Sequence, residues 1–205
     1  MNVLVTGATG FVGQFLCTRL LADGWNVRGT LLASENPAAL VRMFEPVVVE
    51  PLGADTKWSH ALGGIDTIIH LAARVHIMRE NATDPLSEFR KVNTEGTKQL
   101  AREAAKAGVK RFVFMSTIGV NGDNSGGKPY TASDIPHPHN PYSVSKYEAE
   151  KILWQIVSKT GMEVVIIRAP LVYGPGNPGN FLSLLRFVSK SIPLPLDSIQ
   201  NKRSL

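Results

Sequence analysis

The sequence predicts a doubly wound α/β fold, in which helices cover both faces of a parallel sheet. Short apolar segments of strand length alternate with longer helical segments along most of the 205 residues. Residues 67–71 form a largely apolar run, which is typical of a parallel strand buried on both sides. A glycine turn follows the first strand directly, at residues 6–13. These observations favour right-handed crossovers and the dinucleotide-binding form of this architecture.

Capping residues support the predicted element boundaries. Gly24 is expected to end the first helix, while Asn140 and Pro141 are the expected N-cap and first residue of the third. Pro46 has no N–H donor, so it is placed at the start of its strand. The predicted strands cover residues 2–6, 27–32, 46–49, 67–71, 111–116 and 163–168. The predicted helices cover residues 11–22, 88–107, 141–160 and 181–189. A polar segment at 119–139 is long enough to suggest a functional loop.

The composition predicts a folded cytoplasmic protein. Hydrophobic residues make up 43% of the chain, and none of their runs reaches the length that spans a membrane. The first strand starts at the N-terminus without the basic region of a secretory signal. The single cysteine, Cys17, is expected to be a buried residue of the first helix. It cannot form a disulfide within the chain, which fits a cytoplasm.

Charge and chain organisation limit the function classes. The formal net charge is +5, but the basic residues are scattered, so nucleic-acid binding is not expected. A substrate with a diphosphate could use the same surplus. Residues 1–170 are predicted to form a dinucleotide-binding domain. Residues 171–205 are predicted to begin a substrate-binding lobe that is incomplete, because no helix or strand ends the chain.

The glycine turn predicts a phosphate site. Gly7 permits a tight turn, Gly10 lets a pyrophosphate approach the backbone, and Gly13 allows the helix to pack closely on the strand. The helix that follows offers N–H donors and a positive potential to an anion. The expected cofactor contacts therefore include the turn and the neighbouring residues Thr9, Phe11 and Val12. The alternative is a glycine turn without a ligand.

Tyr142 and Lys146 form the predicted acid/base pair. They are four residues apart near the start of a helix, so they share one helix face. A free tyrosine has a pKa of about 10, and a neighbouring ammonium together with an oxidised nicotinamide should lower it. Thr117 ends the preceding strand and can hydrogen-bond the reacting oxygen, with Ser116 as the second choice. An ordinary amphipathic helix is the alternative for the tyrosine–lysine spacing alone.

Histidines in the polar segment do not predict a metal site. His137 and His139 flank a proline, and no further ligands lie near them in the sequence. We therefore expect a loop and no metal.

Several further motifs resemble the extended branch of the short-chain dehydrogenase/reductase superfamily, the NAD(P)-dependent epimerases and dehydratases. The resemblance starts from the GxxGxxG spacing of the glycine turn and covers essentially the whole chain. The other matching segments are His70-Leu-Ala-Ala73, Val92–Thr97, Ser116-Thr117, Tyr142–Lys146 and Arg168–Gly176.

The resemblance implies further site residues. It adds cofactor contacts at Leu52, Leu71, Ala72, Ala73, Asn93, Ser116, Tyr142, Lys146, Pro170 and Val172. It also implies substrate contacts at Arg74, His76, Thr117, Asn180 and Arg203. Helix capping is the alternative for Asn180, and an unstructured tail is the alternative for Arg203.

The cofactor choice between NAD and NADP stays open, with NAD preferred. The second strand of such folds normally ends in an acid that binds the ribose of NAD. Residues 28–34 contain no acid and no clear partner for a 2′-phosphate, although Ser34 could serve either cofactor. Pro51 stands where family members often place an aspartate that binds the adenine amine.

The resemblance implies an NAD(P)-dependent epimerase of the UDP-glucose 4-epimerase type. We expect Tyr142 to remove the proton of the sugar C4 hydroxyl while hydride leaves C4 for the nicotinamide. The 4-keto sugar then turns over, and hydride returns to its other face. The alternatives are a 4-ketoreductase or dehydrogenase of a UDP-N-acetyl sugar, and a dinucleotide-binding protein without catalysis. The substrate is expected to be a UDP-sugar, and a homodimer through helices 88–107 and 141–160 is possible.

Overall fold

A computed structural model describes residues 1–35, 44–75, 83–177 and 180–190 of the chain. Six parallel-sheet strands form its centre, in the spatial order β3-β2-β1-β4-β5-β6. The strands are β1 (Asn2–Thr6), β2 (Asn26–Leu32), β3 (Glu45–Val49), β4 (Thr67–His70), β5 (Arg111–Thr117) and β6 (Glu163–Ala169). This order confirms the predicted doubly wound architecture. The strands are added in one direction from β1 to β3 and in the other direction from β4 to β6, so the strand order reverses between β1 and β4.

Neighbouring strands pair in parallel register. Val5 of β1 lies opposite Gly29 of β2 on one side and Ile69 of β4 on the other. Pro46 is the second residue of the edge strand β3, a position where the missing N–H donor is tolerated.

Both faces of the sheet are buried at its centre, as the apolar β4 sequence predicts. Leu4 packs in one hydrophobic cluster with Phe112 and Leu153, whereas Val3 and Val5 pack in a second cluster on the opposite face. Cys17 belongs to the second cluster and is fully buried, as predicted. Burial raises the pKa of its thiol to about 11, so it is an unreactive core residue.

The helices that flank this sheet are α1 (Phe11–Ala22), α2 (Ser59–Leu62), α3 (Pro85–Phe89), α4 (Thr97–Lys106) and α5 (Pro141–Thr160). Helix α6 (Asn180–Ser189) follows β6 in the chain. The predicted caps are confirmed: Gly24 follows α1 with a φ of +80°, and Asn140 and Ser143 form a capping box at the start of α5. The short helix α2 was not predicted, since four residues give no periodic signal.

The predicted helix at 88–107 differs from the observed structure. It begins earlier, at Pro85, and a π-helical segment, Arg90–Gly96, separates α3 from α4. Gly96 allows the end of this segment to lie close to Leu52, because a Cβ atom on Gly96 would lie 3.1 Å from the Cβ of Leu52. The wider π turn also carries Asn93, and such turns are frequent at functional sites.

The chain divides into two compact units, Met1–Arg168 and Ala169–Leu205. The first contains the glycine turn and helix α5. The second contains α6 and, among its described residues, a partly exposed segment around Val172. Within the described ranges, no helix has the length and apolarity needed to cross a membrane, and no group of three or more potential metal ligands occurs.

Candidate cofactor and catalytic site

The turn after β1 touches the segment after β4, at the carboxyl edge of the sheet. Gly7 has a φ of +68°, and a Cβ atom added to it would lie 2.9 Å from the backbone nitrogen of Ala72. That nitrogen donates a hydrogen bond of 3.2 Å to Oγ1 of Thr6. The two predicted motifs, the glycine turn and His70–Ala73, therefore meet at the point where the strand order reverses. Ligands of open α/β sheets bind in this crevice.

The first turn of α1 is suited to an anion. Gly10 is the N-cap, its N–H donates 3.0 Å to the carbonyl of Gly7, and no side chain of the described residues caps the helix. A Cβ atom on Gly13 would lie 2.1 Å from the Gly7 carbonyl oxygen, so only glycine allows this close packing. Residues Phe11 and Val12 thus present backbone N–H donors at a positive helix end. This cradle fits the pyrophosphate of a dinucleotide.

Glu35 brings an acid to this site, which the sequence analysis missed. Thr9 Oγ1 donates 2.6 Å to one carboxylate oxygen of Glu35, and the backbone N–H of Leu32 donates 2.6 Å to the other. The acid expected within residues 28–34 is therefore replaced by one that folds back from just beyond β2. The acid could have been found in the sequence, because Glu35 directly follows Ser34, the last of the residues 28–34 that were searched for it. The neighbouring Ser34 is exposed.

His70 links three elements beneath the crevice. Its Nδ1 lies 2.6 Å from Thr6 Oγ1, and its Nε2 lies 3.0 Å from Thr97 Oγ1 on α4. The ring also stacks on Phe114, with 5.8 Å between the ring centroids. Burial, followed by the charge of Lys146, lowers the pKa of His70 to about 3, so the imidazole is neutral. It is a structural residue of the motif rather than an acid or base.

Asn93 fastens the β4 segment to helix α5. Its side chain accepts a bond from the Arg74 N–H (2.9 Å) and donates to the Arg74 carbonyl (3.0 Å). It also donates 3.0 Å to Oγ of Ser145, which in turn donates 2.7 Å to the Tyr142 carbonyl. Asn93 is 2% exposed, so these bonds account for its side chain and define a structural role. A direct cofactor contact of Asn93 stays a prediction.

Tyr142 stands at the start of α5 in an aromatic environment. Its ring meets the buried Phe89 edge-on, at 5.9 Å between centroids, and the guanidinium carbon of Arg74 lies 5.5 Å from the other ring. Burial raises the pKa of Tyr142. The lowering expected from the Lys146 ammonium together with an oxidised nicotinamide concerns the protein with its cofactor bound, and it stays a prediction. Desolvation of the phenol is the larger effect here, and it favours the protonated tyrosine.

Lys146 is almost completely buried behind Tyr142. It is 2% exposed, its Nζ donates 2.8 Å to the carbonyl of Met115, and it lies 4.5 Å from the centroid of the Phe114 ring. Burial lowers the pKa of Lys146 to about 7, while the charge of Glu150 opposes that effect. The cofactor contact predicted for Lys146 stays a prediction.

The end of β5 lies against the first turn of α5. Thr117 Oγ1 accepts 3.2 Å from the N–H of Gly119, and a Cβ atom on Gly119 would lie 3.3 Å from Ser143. Thr117 is thus beside the turn that carries Tyr142. Ser116 is 3% exposed and donates its hydroxyl to Glu150, which leaves its backbone for a cofactor contact.

The remaining predicted site residues belong to other segments of the chain. Leu52 is half-buried beside the π-helical segment, and Leu71 to Ala73 follow β4 at the crevice. Pro170, Val172 and Asn180 belong to the second unit. His76 and Arg203 lie outside the described residues. Asn180 is described only by its place at the start of α6. In the predicted loop, His139 lies 3.6 Å from Asp123 and 2.9 Å from the Asn140 side chain.

A switch-point crevice with a glycine turn, followed by a tyrosine and lysine on the helix after β5, defines a dinucleotide-binding protein of the Rossmann type. The chain belongs to the NAD dependent epimerase/dehydratase family, whose family model matches residues 3–200. This membership confirms the resemblance inferred from the motifs. It also makes NAD the cofactor of the family.

Two relatives illustrate the similarity. The chain is 44% identical to a UDP-glucose 4-epimerase of Vibrio cholerae, over all of this chain and 62% of that protein. It is 31% identical to the N-acetyl-alpha-D-glucosaminyl-diphospho-ditrans,octacis-undecaprenol 4-epimerase of Escherichia coli O157:H7, over 92% of this chain and 54% of that protein.

A solved structure supports the fold. The UDP-glucuronic acid 4-epimerase of Bacillus cereus, in complex with NAD, matches with a TM-score of 0.78 and 28% identity, over 95% of this chain and 65% of that one. The chain therefore spans between about half and two thirds of the relatives it matches.

Proposed function

We propose that this chain carries the cofactor-binding and acid/base part of an NAD-dependent epimerase that acts at C4 of a UDP-sugar. The observation that carries the proposal is the position of Tyr142. It shares one face of α5 with Lys146, in the turn whose Ser143 lies against Gly119, two residues after Thr117 at the carboxyl end of β5. The similarity to UDP-sugar 4-epimerases supports the choice of substrate class.

The residues present fit the cofactor. The N–H donors of Phe11 and Val12 would hold the pyrophosphate, and the Glu35 carboxylate would accept hydrogen bonds from a ribose. A negative carboxylate at this place repels the 2′-phosphate of NADP, so the proposal includes a preference for NAD. When bound, NAD supplies the acceptor and donor of the hydride.

The acid/base work falls to Tyr142. Its phenolate would take the proton from the C4 hydroxyl as that carbon is oxidised, and the phenol would return it when the 4-keto sugar is reduced on its other face. Thr117 would hydrogen-bond the reacting oxygen. Because burial favours the protonated tyrosine, the Lys146 ammonium must offset that effect before Tyr142 can act as a base.

One alternative is a 4-ketoreductase of a UDP-N-acetyl sugar, which needs Tyr142 only as an acid. Such an enzyme would run the second half of the same chemistry. A reductase would consume NADH in proportion to product, whereas an epimerase would interconvert two UDP-sugars without net consumption. The alternative that the protein binds a dinucleotide without catalysis predicts binding and neither reaction.

The test compares the chain with Tyr142→Phe in two assays. Isothermal titration with NADH should give the same affinity for both, because the phenolic oxygen is not needed for the pyrophosphate site. Chromatography of UDP-glucose and UDP-galactose, and of their N-acetyl forms, should show turnover that the substitution reduces by about 10²–10⁴-fold. Undiminished turnover in Tyr142→Phe would exclude the proposed role. NADH binding without turnover in the unsubstituted chain would favour the non-catalytic alternative.

A further inference from the structure

A buried carboxylate stands directly below the proposed acid/base pair. Tyr142, Lys146 and Glu150 follow one another at four-residue intervals in α5, so the three side chains share one helix face. Glu150 is 2% exposed. An ionised carboxylate in such a place needs charged or hydrogen-bonding partners, because its desolvation is costly.

Arg168 and Ser116 supply those partners. Arg168 at the end of β6 donates to both carboxylate oxygens, with Nη2 2.7 Å from Oε2 and Nε 3.1 Å from Oε1. The Ser116 hydroxyl donates to Oε1 from β5. The Arg168 side chain is 19% exposed, so the ion pair is largely shielded from water. Three elements, α5, β5 and β6, therefore fix the orientation of Glu150.

The same pair reaches the polar segment that borders the site. Arg168 Nη1 donates 3.2 Å to the side-chain oxygen of Asn121, and the Asn121 amide donates 3.1 Å to the Thr131 carbonyl. The ion pair is thus hydrogen-bonded both to the polar segment, through Asn121, and to the sheet, through Ser116.

Lys146 and Glu150 are anchored on consecutive residues of β5. The Lys146 ammonium donates to the Met115 carbonyl, and Glu150 accepts from Ser116, the next residue. The ionisable groups of the network around the ammonium are Tyr142 and Glu150 on its own helix, His70 on β4 and, through its bonds to Glu150, Arg168 on β6. His70 is neutral above its low pKa of about 3, and Arg168 is committed to Glu150. Glu150 is therefore the neighbour whose charge favours a protonated lysine.

We infer that Glu150, oriented by Arg168 and Ser116, is a positioning residue whose buried carboxylate keeps Lys146 charged at the end of β5. The charge on Lys146 is what the proposed function requires beside Tyr142, and in that respect this inference rests on it. The electrostatic effect itself does not depend on turnover and can be measured without it.

The experiment follows the protonation of Lys146 directly. The chain is produced with ¹³C- and ¹⁵N-labelled lysine, and the side-chain resonance of Lys146, assigned by its loss in Lys146→Arg, is recorded by NMR between pH 5 and pH 10. The wild-type midpoint is expected near 7. In Glu150→Gln the midpoint should fall by about one pH unit or more, the usual effect of losing a close opposite charge.

Glu148→Gln is the matched control. Glu148 lies on the same helix, but its carboxylate pairs with Arg90, with 2.6 Å between Nη2 and Oε1. This substitution removes the same charge two residues away and should leave the Lys146 midpoint in place. A midpoint that shifts equally in both variants would overturn the inference, because the effect would then be one of net charge.

A second variant covers the case in which Glu150→Gln fails to fold because Arg168 is left buried and unpaired. Glu150→Gln/Arg168→Met replaces the ion pair by neutral groups, a change that cores often tolerate. The Lys146 midpoint should again fall. An unchanged midpoint in the folded variant overturns the inference, whereas turnover by Tyr142→Phe would overturn the proposed function and leave the Lys146 titration untouched.

Discussion

Asn93 holds both backbone polar groups of Arg74, accepting its N–H at 2.9 Å and donating to its carbonyl at 3.0 Å. One side chain of the π-helical segment thereby binds the backbone of the segment after β4 through two hydrogen bonds. The same amide binds Ser145. Asn93 thus joins the wall of the cofactor crevice to the helix that carries Tyr142.

Substituting Asn93 should therefore destabilise the protein. Asn93→Ala removes this partner from the part-buried N–H and carbonyl of Arg74, and each lost partner costs about 1–3 kcal/mol. We expect a loss of about 3 kcal/mol in the free energy of unfolding by urea. Gln99→Ala, which removes a single 3.4 Å bond from the neighbouring helix, should cost much less. Equal losses of unfolding free energy in the two variants would contradict the role of Asn93 as the residue that binds the Arg74 backbone.

Glu35 should decide between the two dinucleotides. The wild-type chain is expected to bind NADH more tightly than NADPH, because the carboxylate accepts from a ribose hydroxyl and repels a 2′-phosphate. Glu35→Gln removes the charge and should reduce the ratio of the two affinities about tenfold or more, which equals about 1.4 kcal/mol. Fluorescence titration with both nucleotides measures the ratio. Ser34→Ala should leave it unchanged; the reverse pattern would assign discrimination to Ser34.

Gly13 should not accept even one methyl group. A Cβ atom there would lie 2.1 Å from the Gly7 carbonyl oxygen, so the glycine turn must move or α1 must shift. We expect Gly13→Ala to lower the free energy of unfolding by about 1–3 kcal/mol or more and to weaken NADH binding. Gly53→Ala is the control, because no atom of the described residues lies within 4 Å of its added Cβ. A Gly13→Ala protein as stable as Gly53→Ala would be inconsistent with this geometry.

His70 should make stability depend on pH in the acidic range. Its folded pKa of about 3 lies below the ordinary histidine pKa of 6.5, so the unfolded chain binds an extra proton between these values. The free energy of unfolding should therefore rise with pH from about 3 to 6.5, and this contribution is complete above the unfolded pKa. Urea unfolding between pH 4 and pH 7 measures the slope.

His70→Asn should reduce the slope of unfolding free energy against pH by the amount that corresponds to nearly one bound proton. His60→Asn should not change the slope. His60 is an exposed residue whose Nε2 lies 3.0 Å from the Val48 carbonyl. A slope that persists in His70→Asn would assign the pH dependence to other groups.

Local patterns in the sequence determined much of the architecture. The alternation of strands and helices, the caps at Gly24 and Asn140, and the glycine spacing after β1 act over a few residues, so they are readable without a structure. The tyrosine–lysine pair is equally local, since a four-residue spacing on a helix places both side chains on one face.

Contacts between distant segments were decided only by the tertiary structure. Glu35 reaches Thr9 across 26 residues, Asn93 reaches Ser145 across 52, and Ser116 reaches Glu150 across 34. Burial of Tyr142 and Lys146 likewise depends on what packs around them, and it raises the pKa of the tyrosine and lowers the pKa of the lysine. Short-range periodicity carries no information on such pairs, because hydrogen bonding and desolvation depend on distances in space rather than along the chain.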